Sequence, residues 1–290
     1  RVFEIPEGSR TAKGRAIQNL INIEPDDKVK AYIRTNDLKD EEYVNQMNVV
    51  MITKNGTVKK TSLEAYSRPR TNGINAIEIR DNDQLLGARL TDGSSEIMIA
   101  TKNGKCIRFP EEKARAVGRG SIGVRGITLE DNDEVIGMII AEDVANESVL
   151  VVSDKGYGKR TAVEDYRITN RGGKGVITLN VTEKTGNLIA IQNVKDGDGL
   201  MIINKSGVAI RMSVDELRVM GRNTQGVKLI NLKNNDEIAA IAKVEMDKEV
   251  EEVDLETPEV PSDNVDSSNP EFKEAPQSGD NSFTNMGDEN

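Results

Sequence analysis

An all-β fold of propeller-like blades, each of four strands in about 50 residues, is predicted for this chain by three observations. First, a basic loop ending in glycine recurs as Arg10–Gly14, Arg70–Gly73, Arg119–Gly123, Arg171–Gly175 and Arg222–Gly226, the closing glycines lying 59, 50, 52 and 51 residues apart. A period near 50 marks a repeat architecture. Second, the segments between loops hold runs of four to seven residues rich in Ile and Val, bounded by Asn, Asp and Gly. Such runs read as strands, not helices. Third, each unit carries four of them, which is the grammar of a propeller blade.

Taken in order, a unit opens with its loop and a first β-like run: Ile74–Ile79, Val124–Leu129, Val176–Val181 and Val227–Leu232. A polar turn follows, as in Asp81-Asn-Asp83 and Asp131-Asn-Asp133, and then a second run such as Glu134–Ile140 or Glu237–Ile241. The third run is a continuous apolar quartet, Val49–Ile52, Ile97–Ala100, Val149–Val152 and Leu200–Ile203. Uninterrupted apolar strands are expected where both faces are buried. Gly56, Gly104, Gly156 and Gly207 then mark hairpin turns, and Asn55-Gly56 and Asn103-Gly104 suggest type I′ geometry. The returning strands are basic: Lys59-Lys60, Lys105 to Arg108, Lys159-Arg160 and Arg211. Thr61–Glu64, Thr161–Glu164 and Ser213–Glu216 fit the capping-box pattern and predict a single closing helical turn. Extra polar sequence from Asn36 to Gln46 reads as a surface loop.

Five loops but four hairpin glycines place Arg1–Ile5 inside a blade and a half-unit near Val244. A closed ring then needs residues upstream of Arg1, or pairing between the two ends. Residues 1–244 form the predicted folded domain. Residues 245–290 carry 15 acidic and 2 basic side chains with scattered Pro and Ser. That composition predicts a disordered acidic tail, which at a net −13 could compete for a basic rim in cis. The body is close to neutral, with 37 basic and 34 acidic residues. Any basic surface must therefore arise from segregation of charge.

Histidine is absent and Cys106 is the single cysteine, which excludes His-dependent triads, the usual zinc sites and an internal disulfide. Absence of a signal-peptide pattern or a span-length apolar run makes a cytoplasmic protein the expectation. Cys106 reads as a buried, inert thiol. Gly118-Arg-Gly-Ser-Ile-Gly123 matches the spacing of a dinucleotide loop but precedes a strand, so it reads as chance. Glu111-Glu112 and Asp131/Asp133 read as solvated turn charges. No catalytic or metal site is predicted.

The basic loops carry the functional signal. Equivalent loops of successive blades share one rim, so Arg10, Lys13, Arg15, Arg68, Arg70, Arg115, Arg119, Arg125, Arg171, Lys174 and Arg222 are expected to form a cationic belt. Lys59, Lys60, Lys105, Arg108, Lys159, Arg160 and Arg211 of the hairpins are expected to widen it. With only 5 Tyr, 4 Phe and no Trp, such a belt suits the phosphate backbone of duplex DNA better than single strands, which need stacking platforms.

Several motifs carry a resemblance: Thr-Ala-Lys-Gly-Arg-Ala-Ile-Gln-Asn-Leu ending at Leu20, Asn-Gly-Thr-Val-Lys-Lys ending at Lys60, Gly156–Val163 and Gly221–Val227. Together they resemble the C-terminal domain of bacterial DNA gyrase A, from Arg1 to about Val244. The resemblance implies a β-pinwheel, a propeller-like ring whose blades exchange strands, here with about five of an expected six blades. It implies duplex DNA wrapped on a basic perimeter, so that a holoenzyme using ATP and Mg2+ introduces negative supercoils. The implied partners are the rest of gyrase A, together with gyrase B, in an A2B2 assembly. The implied setting is bacterial, cytoplasmic and nucleoid-associated. The family's first-blade box, Gln-Arg-Arg-Gly-Gly-Lys-Gly, is absent; Arg171–Gly175 resembles its core in a later blade, and the box's role is not carried over to it. The related topoisomerase IV domain and a propeller-type protein-interaction module are the alternatives.

Overall fold

The apolar quartets form the centres of four antiparallel hairpins. The computed structural model describes residues 1–5, 9, 11–21, 23–24, 27–233 and 236–245, and the structural statements here concern these. The hairpins are β1–β2 (Asn48–Thr53, Thr57–Ser62), β4–β5 (Glu96–Thr101, Lys105–Pro110), β8–β9 (Ser148–Ser153, Tyr157–Ala162) and β12–β13 (Asp198–Asn204, Ala209–Ser213). The second predicted run of each unit becomes β3 (Leu85–Thr91), β7 (Val135–Ala141), β11 (Leu188–Val194) and β15 (Ile238–Glu245). Of three first runs only two residues are strand, β6 (Val124–Arg125), β10 (Val176–Ile177) and β14 (Val227–Lys228), and Ile74–Ile79 keeps a single bridge at Ile74.

No blade is built from one unit. The sheet orders are β3-β1-β2-β6, β10-β5-β4-β7, β11-β8-β9-β14 and β13-β12-β15. The first hairpin thus receives β3 from the following unit and β6 from the unit after that. Each four-stranded blade draws on three successive repeats, which is the strand exchange of a pinwheel. Strands β3, β7, β11 and β15 contact one another in succession, so they line the hub, and β6, β10 and β14 occupy the opposite, outermost edge. Val2 bridges to Ile74 in the same antiparallel sense, so the first residues stand where a hairpin's second strand stands elsewhere.

Alternation along each hairpin strand explains the burial of both faces. Val50 and Ile52 of β1 pack with Ile97, Ile99, Ile107 and Phe109 of the second blade, while Val49 and Met51 pack with Leu63, Tyr66 and Ile74 on the other side. Likewise Met98 and Ala100 meet Val149 and Val151, and Leu150 and Val152 meet Leu200 and Ile202. Each fully buried aliphatic side chain contributes roughly 1.5–3 kcal/mol.

Glycine fixes the exchange. Gly56, Gly104 and Gly156 adopt φ of 84°, 80° and 83°. Their carbonyls accept hydrogen bonds from Gly126 N, Thr178 N and Leu229 N, each at 2.8 Å. The first run of a later unit therefore pairs for two residues and then hooks over the hairpin tip. That hook is why the predicted longer strands end early. The hairpin turn also differs from the expected type I′: Gly56 N donates to Thr53 O at 3.0 Å, and only the glycine of the Asn-Gly pair has positive φ. This is a three-residue loop closed by a left-handed glycine. The polar turns brace these tips, Asp83 Oδ1 accepting from Asn55 N at 2.9 Å and Gln84 N at 2.8 Å.

Three smaller expectations are corrected. Glu41–Gln46 is a short helix, capped by Asp40 and burying Val44, not a loop. Of the three predicted capping boxes only that of Ser213 and Glu216 forms. The other two 3-10 turns start one residue later, at Leu63 and Val163, without a side-chain cap, because Thr61 and Thr161 are still strand residues. Glu111 is buried, at 1% exposure, rather than solvated. The described residues belong to one compact unit, Arg1–Asp247; the predicted acidic tail, beyond Glu245, lies outside the described residues.

A Cβ on Gly104 would lie 2.3 Å from Leu179 O, whereas one on Gly207 (φ +89°) would meet nothing within 4 Å. Chemical denaturation is expected to show Gly207→Ala costing about 1 kcal/mol, the left-handed strain alone, and Gly104→Ala about 3 kcal/mol or more. Equal losses would contradict the hook.

Candidate nucleic-acid interface

The outermost strands and the loops that feed them set the perimeter chemistry. Counting back from Gly123, Gly175 and Gly226, arginines stand eight positions earlier (Arg115, Arg167, Arg218) and four positions earlier (Arg119, Arg171, Arg222). The residues just after the first set skip the hairpin directly before them and bridge in parallel to the one before that: Ala116 to Lys60, Ile168 to Arg108 and Val219 to Arg160. Arg115, Arg167 and Arg218 are exposed. Arg125 on β6, Lys228 on β14 and Lys174 in the fourth loop are exposed too. Arg167, Arg218 and Lys228 were not among the sequence candidates. The signal for the first two was the constant eight-residue offset, hidden when the loops are aligned from their second arginine onward.

The second set is half-buried and has a structural share. Arg171 donates from Nε to Lys113 O (2.9 Å) and from a terminal nitrogen to Arg125 O (3.1 Å). Arg222 repeats this on Asp165 O (2.9 Å) and Ile177 O (3.3 Å). Each guanidinium staples its loop to the 3-10 turn and the exchanged strand that flank the preceding perimeter loop. Among the other candidates, Lys13, Arg15, Arg68, Arg70 and Arg211 are exposed, Lys105 and Arg119 half-buried. Lys105 is ion-paired with Glu130, whose carboxyl is held below its usual range by that contact. Arg211 donates to Glu245 O at 2.6 Å. Arg10 lies outside the described residues.

Five hairpin cations are inside the protein, not on its rim. Lys59, Lys60, Arg108, Lys159 and Arg160 are all buried. Lys60, Arg108 and Arg160 occupy one register and reach the 3-10 turn of the next unit. Lys60 Nζ donates to Glu111 O (3.1 Å) and Oε1 (3.3 Å). Arg108 pairs with Glu96 and donates to Val163 O (2.9 Å) and Tyr166 O (2.8 Å). Arg160 pairs with Asp196 and donates to Val214 O at 3.3 Å. These charges are neutralised or ligated by carbonyls, as burial requires.

Lys59 and Lys159 occupy the neighbouring register and grip the loops from beneath. Lys59 Nζ donates to Ala76 O at 2.6 Å and to Arg119 O. Lys159 Nζ donates to Gly221 O at 2.7 Å, to Thr224 Oγ1 at 3.1 Å and to Arg222 O. Burial, and secondarily the charge of Arg119, lowers Lys59 from its ordinary 10.5 to about 8. Burial and then Arg222 lower Lys159 to about 8, with Asp165 opposing. In the blade between them the same register holds Ile107, buried at 1% exposure. The buried Cys106 thiol is pushed up by desolvation, in keeping with an inert side chain.

Fold and site together define a strand-exchanged, propeller-type domain with an arginine-studded perimeter. Comparison with known proteins makes this specific. The sequence model described as "DNA gyrase C-terminal domain, beta-propeller" matches residues 1–36, 48–92, 95–142, 147–195 and 200–245, and the chain belongs to that family. It is 43% identical over 249 residues to the DNA gyrase A polypeptide of Staphylococcus aureus strain NCTC 8325 / PS 47, covering 86% of this chain and 28% of that protein. Its likeness to the same polypeptide of strain MRSA252 is 42% over 252 residues, with 87% and 28% covered. The chain therefore spans about a quarter of the length of the relatives it matches. Among solved structures it resembles the C-terminal domain of DNA topoisomerase IV (TM-score 0.73, 25% identity, 80% of this chain and 71% of that one). It also resembles the DNA gyrase A C-terminal domain (0.69, 22%, 80% and 75%), which supports the fold. No helix among the described residues is long and apolar enough to cross a membrane.

An unfolded lysine keeps its proton to about 10.5, so between about pH 8 and 10.5 the unfolded chain binds more protons than the folded one and stability rises with pH. Tyr66 and Tyr166, raised by burial, act oppositely only above pH 10. The thermal midpoint is expected to climb from pH 8 to 10 in the parent chain, and to stay flat in Lys59→Met/Lys159→Met.

Proposed function

We propose that the domain wraps duplex DNA around its outer perimeter, bending it through phosphate contacts with little base readout. The holoenzyme to which it belongs would convert that wrap into negative supercoils using ATP hydrolysis. The observation that carries this reading is the exposed arginine at the same offset in three successive loops, Arg115, Arg167 and Arg218, flanked by Arg125, Lys174 and Lys228. A cationic side chain repeated blade by blade on an outer edge suits the phosphate backbone of a duplex curved around it. Family membership supports the same role. The folded domain is taken as residues 1–244, with the acidic segment 245–290 a candidate competitor for the rim in cis.

The expected partners are double-stranded DNA, the remainder of gyrase A, and gyrase B in an A2B2 assembly in the bacterial cytoplasm. The described residues contain no cluster of three or more Cys, Asp or Glu able to hold a metal ion. They also offer no glycine-rich strand-to-helix phosphate loop. ATP, Mg2+ and the catalytic chemistry are proposed to act elsewhere in the holoenzyme. The similarity to the topoisomerase IV domain favours the same wrapping role as the second reading.

Arg115→Ala/Arg167→Ala/Arg218→Ala is expected to flatten the slope of log Kobs against log[salt] by about 2–3 units, roughly 0.9 for each phosphate no longer neutralised. It should weaken binding equally across sequences. An unchanged slope in duplex-binding titrations would remove these arginines from the interface. Relaxing a plasmid with the domain bound should trap a nonzero linking difference; none would favour a protein-interaction module.

A further inference from the structure

The buried lysines do more than fill the interior. Lys159 turns two consecutive carbonyls inward, those of Gly221 and Arg222. A trans peptide is planar, and its N–H points opposite to its C=O. The N–H groups of Arg222 and Asn223 therefore both face away from Lys159, toward the loop's outer side, where Gly221 and Asn223 are exposed. Lys59 does the same to the peptide between Arg119 and Gly120, aiming the Gly120 N–H outward. None of these three N–H groups donates to another group among the described residues. Consecutive outward N–H groups such as those of Arg222 and Asn223 form a concavity that binds anions. Gly120 offers a single one, because Ser121 N donates to Gly118 O, and each lies at or next to a loop arginine.

We propose that Lys59 and Lys159 are positioning residues of the DNA-wrapping perimeter: by holding loop carbonyls inward they present the N–H groups of Gly120, Arg222 and Asn223 to DNA phosphates. The reading rests on the proposed duplex binding. The two lysines never touch DNA. The loops are seated on them closely: a Cβ on Gly123 or Gly226 would fall 3.0 Å from Lys59 Cβ and 3.3 Å from Lys159 Cβ. The intervening loop, over Ile107, lacks this grip and relies on the Arg171 staple. Phosphate recognition is thus divided between side-chain charge in every loop and oriented backbone in two of them.

The groups facing each ammonium define its pH response. Around Lys59 they are Arg119 and Tyr66, whose hydroxyl shares Ala76 O; around Lys159 they are Arg222, Asp165 and Thr224. Deprotonation removes one N–H donor and the charge, loosening the carbonyls.

The test uses the 290-residue chain and a duplex oligonucleotide of mixed sequence. Ile107 shows that this register accepts an aliphatic side chain in a folded blade, so Lys159→Met and Lys59→Met are the variants. Each is expected to weaken duplex binding about five- to tenfold, on the scale of one or two lost hydrogen bonds, while keeping the parent slope against log[salt]. Arg218→Ala, which removes a direct phosphate partner, should lower that slope by about one. Amide exchange in the parent chain should show Gly120, Arg222 and Asn223 N–H gaining protection when DNA binds. In Lys159→Met the Arg222 and Asn223 gain should vanish, with that of Gly120 retained. Unchanged affinity in both variants, a slope lowered by one, or no protection of these amides in the parent would each overturn the proposal. Should the variants fail to fold, the parent exchange measurement decides it. If the parent chain itself shows no salt-dependent duplex binding, it is the wrapping function that fails.

Discussion

A buried cation in each of the first three hairpins, reaching into the next repeat, is the interaction on which the blades depend. Lys60, Arg108 and Arg160 stand in one register, and each donates to a backbone carbonyl of the next repeat's 3-10 turn. Carbonyl ligation lets a charge sit between hydrophobic layers, where an unpaired one would cost several kcal/mol. It also sets distance and direction, which the apolar contacts on either side of the hairpin cannot do. Two blades packed only through Ile and Val could slide or tilt; two blades pinned through a guanidinium cannot.

The exchange of strands adds a second constraint. Gly56, Gly104 and Gly156 each offer a carbonyl at the hairpin tip, and the chain from a later unit supplies the donor. The perimeter loops end at a further glycine pressed against the hairpin before the preceding one: a Cβ on Gly175 would lie 2.7 Å from Cys106 O, and one on Gly226 2.4 Å from Gly158 O. Loop geometry and blade geometry are thus one structure, and the presentation of the arginines follows from the packing of the core.

Repeat period, quartets and hairpin tips were legible in the sequence because each follows from composition at fixed spacing. Strand exchange was not legible in the residues themselves: pairing partners far apart in the chain, such as Val58 and Val124, leave no local trace. It entered only through the family resemblance. The buried lysines misled for a reason visible in hindsight. Lys59 and Lys60 are consecutive on a strand, so they point to opposite faces, and a strand buried on both sides sends both inward. Their ligands are carbonyls of distant loops, which no side-chain pattern records. Glu111 misled in the same way, reading as a turn charge while serving as the carboxylate for Lys60. In the candidate interface, the glycine-anchored loops were found from sequence, and the outer arginines Arg167 and Arg218 were not.

Because each four-stranded blade borrows from the two repeats after it, the unit of heredity in this fold is not the unit of structure. A gene duplication or loss spanning one full period would leave every donor and acceptor matched, since each repeat gives and receives the same pieces. A break at any other point would orphan an edge on two blades at once. The architecture can therefore gain or lose blades in whole steps, which would alter how far a polymer wrapped on it as proposed could turn, without redesigning the joints between blades.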